Sequence, residues 1–77
     1  MTRSYKLFKV SKDKEKLVKI FTNMQEATRK VRSILGLKEF QKYQYVQIYD
    51  GVTCIGMDFN KNGETVFRIK KEIQWDI

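Results

Sequence analysis

The stretch from Tyr43 to Trp75 sets the tightest limit on the fold, because it reads as three β-strands joined by two turns. Apolar and polar residues alternate along it, as they do in strands with one buried face. Asp50-Gly51 and the run Asn60 to Gly63 interrupt this alternation with residues typical of hairpin turns. The stretch therefore predicts an antiparallel three-stranded meander with one apolar face.

The first turn predicts the pairing of the first two strands. A two-residue loop at Asp50-Gly51 requires positive φ at both residues, which Asp and Gly tolerate. The strand pairs that follow are Ile48 with Thr53, Val46 with Ile55 and Gln44 with Met57.

The second turn allows two registers. A two-residue loop at Asn62-Gly63 would turn Phe67 and Ile69 away from the other large apolar residues. A three-residue loop from Lys61 to Gly63 keeps the large residues together, so we expect this loop. It pairs Met57 with Phe67 and Ile55 with Ile69. The predicted apolar face then consists of Val46, Ile48, Ile55, Met57, Phe59, Phe67 and Ile69, continued by Ile73 and Trp75.

The opposite face of the meander is rich in tyrosine and is called here the predicted tyrosine face. Gly56 lies between Tyr45 and Arg68 in the predicted register. The missing side chain would leave a slot for the Tyr45 ring, with Arg68 close enough for a cation–π contact. This face carries Tyr43, Tyr45, Gln47, Tyr49, Val52, Cys54, Gly56, Asp58, Val66, Arg68 and Lys70.

The first half of the chain predicts a hairpin and a helix. Residues 5–10 and 16–21 read as strands joined by the polar loop 11–15. Thr22 and Asn23 are helix-capping residues, apolar residues then recur at helical spacing, and Gly36 supplies a stop, so we expect a helix over 23–35. The order ββαβββ predicts one α+β domain over residues 1–77, with a mainly antiparallel five-stranded sheet and a single helix on one face.

A single helix would cover the apolar face of the meander and leave the other face of the sheet uncovered. An exposed aromatic patch on a small protein usually marks an interface. The exposed set would be Tyr5, Leu7, Leu17, Phe21, Tyr43, Tyr45 and Tyr49. If the first hairpin folds over the meander instead, these tyrosines belong to the core.

The charge is concentrated in the first half of the chain. The formal net charge is +7, and residues 1–42 hold twelve Lys or Arg against four Asp or Glu. Such a field favours anionic partners, with nucleic acid first and a membrane surface or an acidic protein next. The alternative is a lysine-rich surface that only keeps the protein in solution.

Residue types limit the chemistry. The chain has no histidine, which excludes Cys/His zinc sites and a histidine base, and its carboxylates are scattered. We therefore expect no enzyme activity, metal or cofactor. Cys54 is the one cysteine, which fits a reducing compartment such as the cytoplasm, and no apolar run approaches the ~20 residues that span a bilayer.

These observations predict a small non-enzymatic module that binds nucleic acid, single-stranded slightly ahead of double-stranded, by stacking and phosphate contacts. The predicted site residues are Tyr43, Tyr45, Tyr49, Arg68, Lys70, Lys9 and Lys19. Arg29 and Arg32, on the outer helix face, are secondary candidates for duplex phosphates. The alternative is a protein interface: a phage- or plasmid-type inhibitor or adaptor, or a homodimer through the sheet face.

Overall fold

The computed structural model describes residues 2–74, and these form one five-stranded sheet with two helices. The elements are β1 (Thr2–Ser11), β2 (Lys14–Phe21), α1 (Met24–Leu35), α2 (Leu37–Phe40), β3 (Gln44–Asp50), β4 (Thr53–Lys61) and β5 (Glu64–Gln74). The strand order is β2-β1-β5-β4-β3, and every neighbouring pair is antiparallel. The predicted α+β class and ββαβββ order are confirmed, whereas the position predicted for Trp75 lies outside the described residues.

The main helix forms where its capping signals predict it. The Asn23 side chain accepts a hydrogen bond from the Glu26 backbone N–H at 2.8 Å, which satisfies one of the free donors of the first turn. The helix ends at Gly36, whose backbone N–H donates a hydrogen bond to the Arg32 carbonyl at 2.8 Å. The short helix α2 follows directly and was not predicted. No described helix is long and apolar enough to cross a membrane.

The core lies between α1 and the three central strands. Leu7 of β1 is opposite Ile69 of β5, and Ile69 is opposite Met57 of β4. In the next row Phe67 is opposite Phe59. Ala27 and Val31 of α1 complete the buried set of Leu7, Ala27, Val31, Met57, Phe59, Phe67 and Ile69. The face of the sheet that carries these side chains is called the helix side, and the other is called the open face.

Three β-bulges interrupt the sheet and decide which side chains reach each face. The unpaired residues are Val18 in β2, Ile55 in β4 and Val66 in β5. Each bulge adds one residue to one strand only, so the alternation of faces shifts by one beyond it. Sequence alternation alone therefore assigns the wrong face to residues on one side of each bulge.

The first turn of the meander differs from the prediction. Asp50 pairs with Thr53, so the loop is Gly51-Val52, and of these residues only Gly51 has positive φ, at 64°. These φ signs are those of a type II′ turn, in which glycine favours the first loop position. With the bulge at Ile55, the pairs predicted for β3 and β4 are wrong.

The corrected register of β3 reverses its two faces. Ile48 pairs with Gly56, and Val46 pairs with Asp58, so both side chains lie on the open face. Their predicted place under the helix is therefore wrong, and Ile55 is exposed as well. Gln47, opposite Met57, lies on the helix side instead.

The second turn is the two-residue alternative. Lys61 pairs with Glu64, and Asn62 and Gly63 both have positive φ, at 53° and 79°. The predicted three-residue loop is wrong. The bulge at Val66 nevertheless returns Phe67 and Ile69 to the helix side, so their predicted burial is confirmed in a register shifted by two residues.

The first hairpin is longer than predicted and has a tighter turn. Its loop is Lys12-Asp13, with positive φ of 46° and 67° at the two residues. The strands thus include residues that were assigned to a loop at 11–15. The hairpin extends the sheet beside β5 and does not fold over the meander.

A charged contact holds α2 against the sheet. The Lys61 ammonium at the end of β4 hydrogen-bonds the Glu39 carboxylate, and it also lies 5.7 Å from the centre of the Tyr43 ring. This hydrogen bond holds the pKa of Glu39 below its ordinary value, and Lys42 at 3.6 Å adds a weaker contribution. The contact places Phe40 where its ring packs on Phe59, with centroids 6.0 Å apart.

Truncation of two apolar residues tests the corrected core. Phe67→Ala should lower the free energy of unfolding by about 3–5 kcal/mol, because the ring is 1% exposed. Ile55→Ala should lower it by about 1 kcal/mol or less, because that side chain lies 39% exposed at the bulge. Urea denaturation measures both. Equal losses for the two variants would place Ile55 in the core and contradict the bulge.

The Glu39 contact predicts a pH response. The pKa of Glu39 is lower in the folded protein than in the unfolded chain. The contact therefore stabilises the folded state at pH values above the unfolded pKa, and this stabilisation is lost as the pH falls through the folded pKa. Lys61→Met should raise the pKa of Glu39 and move acid unfolding to higher pH. NMR titration of the Glu39 carboxyl carbon measures the shift. The control Lys42→Met should raise it less, and the reverse ranking would contradict the assigned hydrogen bond.

Candidate binding surfaces

The open face combines apolar side chains with a closed set of ion pairs. Its apolar members come from the edge strands and β1, and no described element covers them. They are Phe8, Val10, Leu17, Ile20, Val46 and Ile48. Leu17 and Ile20 are about half exposed, at 47% and 51%.

Each of the three cations that residues 2–74 place on the open face is paired with a carboxylate. Arg68 donates from Nε to Asp58 Oδ1 at 2.8 Å and from Nη2 to Asp58 Oδ2 at 3.2 Å. Glu15 lies 3.5 Å from Arg68 and 2.9 Å from Lys70, measured between nitrogen and oxygen. Lys6 pairs with Glu72 at 2.5 Å. The three cations are thus balanced by three carboxylates.

The ion pairs limit what Arg68 and Lys70 can bind. The fork of hydrogen bonds to Asp58 raises the pKa of Arg68 above its ordinary value. The Lys70 ammonium also lies 5.2 Å from the centre of the Phe8 ring. A phosphate would compete with Asp58 for Arg68 and with Glu15 for Lys70. Arg68 and Lys70, both predicted as site residues, therefore serve an internal network in this structure.

The tyrosines lie on the other side of the sheet. Tyr45 is opposite Phe59 on the helix side, with ring centroids 6.5 Å apart, and remains 63% exposed. Tyr49 lies on the same side and donates its hydroxyl to Gln47 Oε1 at 2.7 Å. Tyr43 packs partly buried against the core. The prediction of one face shared by the tyrosines and Arg68 is wrong, because the bulge at Ile55 reverses β3.

The exposed aromatic set predicted from the sequence is also wrong in most of its members. Leu7 is fully buried in the core. Tyr5 and Phe21 are partly buried against it, as is Tyr43. Leu17 alone among the seven reaches the open face, because the bulge at Val18 places it opposite Phe8. Tyr45 and Tyr49 are exposed as predicted, but beside the helix layer.

Four lysines of the first hairpin share the helix side and are called the hairpin lysines: Lys9, Lys14, Lys16 and Lys19. Lys9 is directly opposite Lys16, and Lys19 is opposite Leu7. The Lys9 and Lys19 ammonium groups lie 5.8 and 5.5 Å from the Phe67 and Phe21 ring centres. Within residues 2–74, no carboxylate oxygen approaches any of the four ammonium groups within 4.0 Å.

Lys9 and Lys19 were predicted as site residues, whereas Lys14 and Lys16 were not. The latter two fell in or beside the polar loop that was predicted there. Their i, i+2 spacing is the signal for one strand face, and it becomes visible once the loop is shortened to Lys12-Asp13.

Arg29 and Arg32 are exposed on α1, as predicted. The predicted arrangement, with the helix and its arginines on the opposite side of the sheet from the tyrosines, is wrong. Because α1 covers the face that carries Tyr45 and Tyr49, arginines and tyrosines lie on the same side of the sheet. In the part of the chain that the structure describes, no three Cys, Asp or Glu residues are grouped to hold a metal ion.

Gly56 serves strand pairing and not a slot for Tyr45. A Cβ atom at this position would lie 2.7 Å from the Ile69 carbonyl oxygen and 3.7 Å from Ile48 Cδ1. The first contact is with backbone, so β4 and β5 would have to separate. The residue near the glycine is Ile48 on the open face, and the predicted contact of Tyr45 there is wrong.

Gly56→Ala should therefore destabilise the fold by about 1–3 kcal/mol, the usual cost of overpacking. The control Thr53→Ala, at an exposed site of the same strand, should change stability by about 0.5 kcal/mol or less. Thermal unfolding by circular dichroism compares the two. A Gly56→Ala variant that melts with the wild type would contradict the close approach of β4 to Ile69.

The two faces of the sheet thus differ in kind: one is apolar and internally neutralised, and the other carries the hairpin lysines beside the helix layer.

Comparison of the chain with known protein families, with curated protein sequences and with solved structures found no match.

Proposed function

We propose that this protein is a non-enzymatic module that binds nucleic acid by its phosphate backbone, through the hairpin lysines. The observation that carries the proposal is the direct pairing of Lys9 with Lys16, with no carboxylate of residues 2–74 within 4.0 Å of either ammonium group. Like charges directly opposite each other on neighbouring strands destabilise a sheet. A bound polyanion would relieve this repulsion. The pairing of Lys9 with Lys16 therefore suits binding, whereas it does not contribute to stability.

The contrast between the two faces supports the same proposal. Lys6, Arg68 and Lys70 on the open face are each neutralised by a carboxylate. The positive field of the chain is therefore directed from the helix side and its hairpin. Such a localised field concentrates anionic polymers and speeds their association. Arg29 and Arg32 on the outer face of α1 extend the field on the same side.

The position of the tyrosines makes phosphate contact more important than base stacking. Lys16 and Tyr45 lie on the two edge strands, four strand spacings apart, or about 19 Å. The Phe40 ring of α2 packs on Phe59 between them. A single strand cannot lie flat across both groups, so we expect duplex DNA to bind at least as tightly as single-stranded DNA, with little sequence preference.

The carboxylates support binding rather than catalysis. Asp58 and Glu15 hold Arg68 and Lys70, and Glu39 holds α2 in place. Each of these carboxylates is occupied by a structural contact, which supports a binding role and not a catalytic one. The single cysteine, Cys54, is in keeping with a reducing compartment, and we propose the cytoplasm.

A second candidate function rests on the open face. Its apolar side chains and neutral ion pairs have the composition of a protein interface, with an apolar centre and polar groups already matched. The adaptor or inhibitor role would use this face. It becomes the leading candidate if nucleic acid does not bind.

Two triple variants with equal charge loss test the main proposal. Lys9→Gln, Lys16→Gln and Lys19→Gln together remove three cations from the proposed site. Lys6→Gln, Arg68→Gln and Lys70→Gln together remove three from the open face. Fluorescence polarisation with labelled duplex and single-stranded DNA at several salt concentrations measures affinity, and circular dichroism checks that each variant is folded.

The wild type should show a log–log salt slope of about −3 to −4 if four lysines contact phosphates. The hairpin variant should lose most of its affinity and reduce the slope by about one per lysine, whereas the open-face variant should retain both. If the two variants lost affinity for DNA equally, binding would depend on net charge alone, which would contradict a site at the hairpin lysines. No binding by the wild type at low salt would exclude the nucleic-acid function.

A further inference from the structure

The strand β3 is an unprotected edge of the sheet. It pairs with β4 on one side, and no described strand pairs with its other side. All seven residues are exposed, and none carries a charge before Asp50 at the end. Such an edge presents a row of backbone donors and acceptors that can pair with another strand.

The opposite edge, β2, is protected by two devices that β3 lacks. It carries Lys14, Lys16 and Lys19 along its length, and the bulge at Val18 interrupts its regular pairing. Charged side chains, especially lysine, and bulges are the usual means by which proteins block edge pairing. One edge of this sheet is thus closed to other strands and the other is left open.

The sequence of β3 matches itself when it is read in the opposite direction. Around Gln47 the residues are Tyr-Val-Gln-Ile-Tyr, with a tyrosine at each end and a β-branched residue on each side of the centre. Antiparallel pairing centred on Gln47 sets Tyr45 opposite Tyr49 of a second copy and Val46 opposite Ile48 of that copy. Aromatic and β-branched pairs are favourable cross-strand neighbours.

We propose that β3 pairs antiparallel with β3 of a second copy of this chain, with Gln47 on the two-fold axis. A two-fold interface requires one surface to be complementary to itself, which this strand satisfies. The end charges are compatible too, because Asp50 lies opposite the neutral Gln44 of the other copy. No like charges face each other anywhere along the strand.

The pairing forms a continuous ten-stranded sheet. The two-fold axis is perpendicular to the sheet, so both helix layers lie on the same side and both open faces on the other. Regular antiparallel pairing over seven residues adds about six to eight backbone hydrogen bonds. A contact of one strand is small for a specific interface, so we expect a dimer that forms and dissociates with concentration.

Opposite charges placed at Gln47 test the two-fold axis. Gln47→Lys sets two lysines opposite each other, and Gln47→Glu sets two glutamates opposite each other, so each variant alone should weaken the dimer by about fivefold. An equimolar mixture should restore it, because lysine then faces glutamate. Sedimentation velocity over a wide concentration range measures the mass of each sample, and circular dichroism confirms that both variants are folded.

Gln44→Lys is the matched control, since it makes the same change in the same strand but places the lysine opposite Asp50 of the second copy. It should keep the dimer or strengthen it. Ile20→Lys, on the half-exposed open face, should also leave the dimer unchanged. A wild type that is monomeric at every concentration would overturn the proposal. A dimer as tight in both Gln47 variants as in the wild type, or one that Ile20→Lys dissociates, would also overturn the proposal and point to the open face.

Discussion

The pairing of β1 with β5 is the contact on which the rest of the structure depends. It joins the first hairpin to the meander across almost the whole length of the chain, and it sets Leu7 opposite Ile69 beneath Val31. A chain of 77 residues has few large side chains to bury, so the burial of Leu7 matters for stability. Because side chains alternate along a strand, the side on which Leu7 lies also decides the side of the other residues of the hairpin. The hairpin lysines reach the helix side because they share the alternation of Leu7, after correction for one bulge.

The sequence was sufficient for the element order and insufficient for the faces. Asn23, the apolar period after it and Gly36 predict α1 within one residue, because helix boundaries depend on local chemistry. The burial of Phe67 and Ile69 was predicted correctly although the loop was not, because the large side chains gather on the helix side in both the predicted and the observed register. The faces of β3 could not be predicted, since Val18, Ile55 and Val66 are ordinary strand residues and nothing local marks them as bulges.

Those bulges also explain why the predicted binding site is divided. An uninterrupted alternation sets Tyr45 beside Arg68, and the combination suggests stacking with phosphate contact. The bulge at Ile55 separates the two by the thickness of the sheet, and Arg68 then forms its fork to Asp58. What remains on the helix side of the first hairpin is a group of four lysines that no described carboxylate approaches within 4.0 Å, a pattern suited to phosphate and less to bases. The predicted positive charge still holds in the corrected register because it depends on composition. The predicted stacking surface does not, because it depended on the register of β3 and β4.

The proposed dimer and the proposed phosphate site are linked by geometry. Because the two-fold axis is perpendicular to the sheet, both sets of hairpin lysines would lie on the same face of the proposed ten-stranded sheet, at its two ends. With strands about 4.8 Å apart, the two copies of β1 are about 34 Å apart along the sheet and the two copies of β2 about 43 Å. One turn of duplex DNA is about 34–36 Å long. Lys9 of β1 would therefore recur about one duplex turn apart, whereas Lys14, Lys16 and Lys19 of β2 would recur farther apart than one turn. The two proposals thus assign different tasks to the two edges of the sheet: the uncharged edge β3 would join two copies, and the charged edge β2 of each copy would contact the ligand.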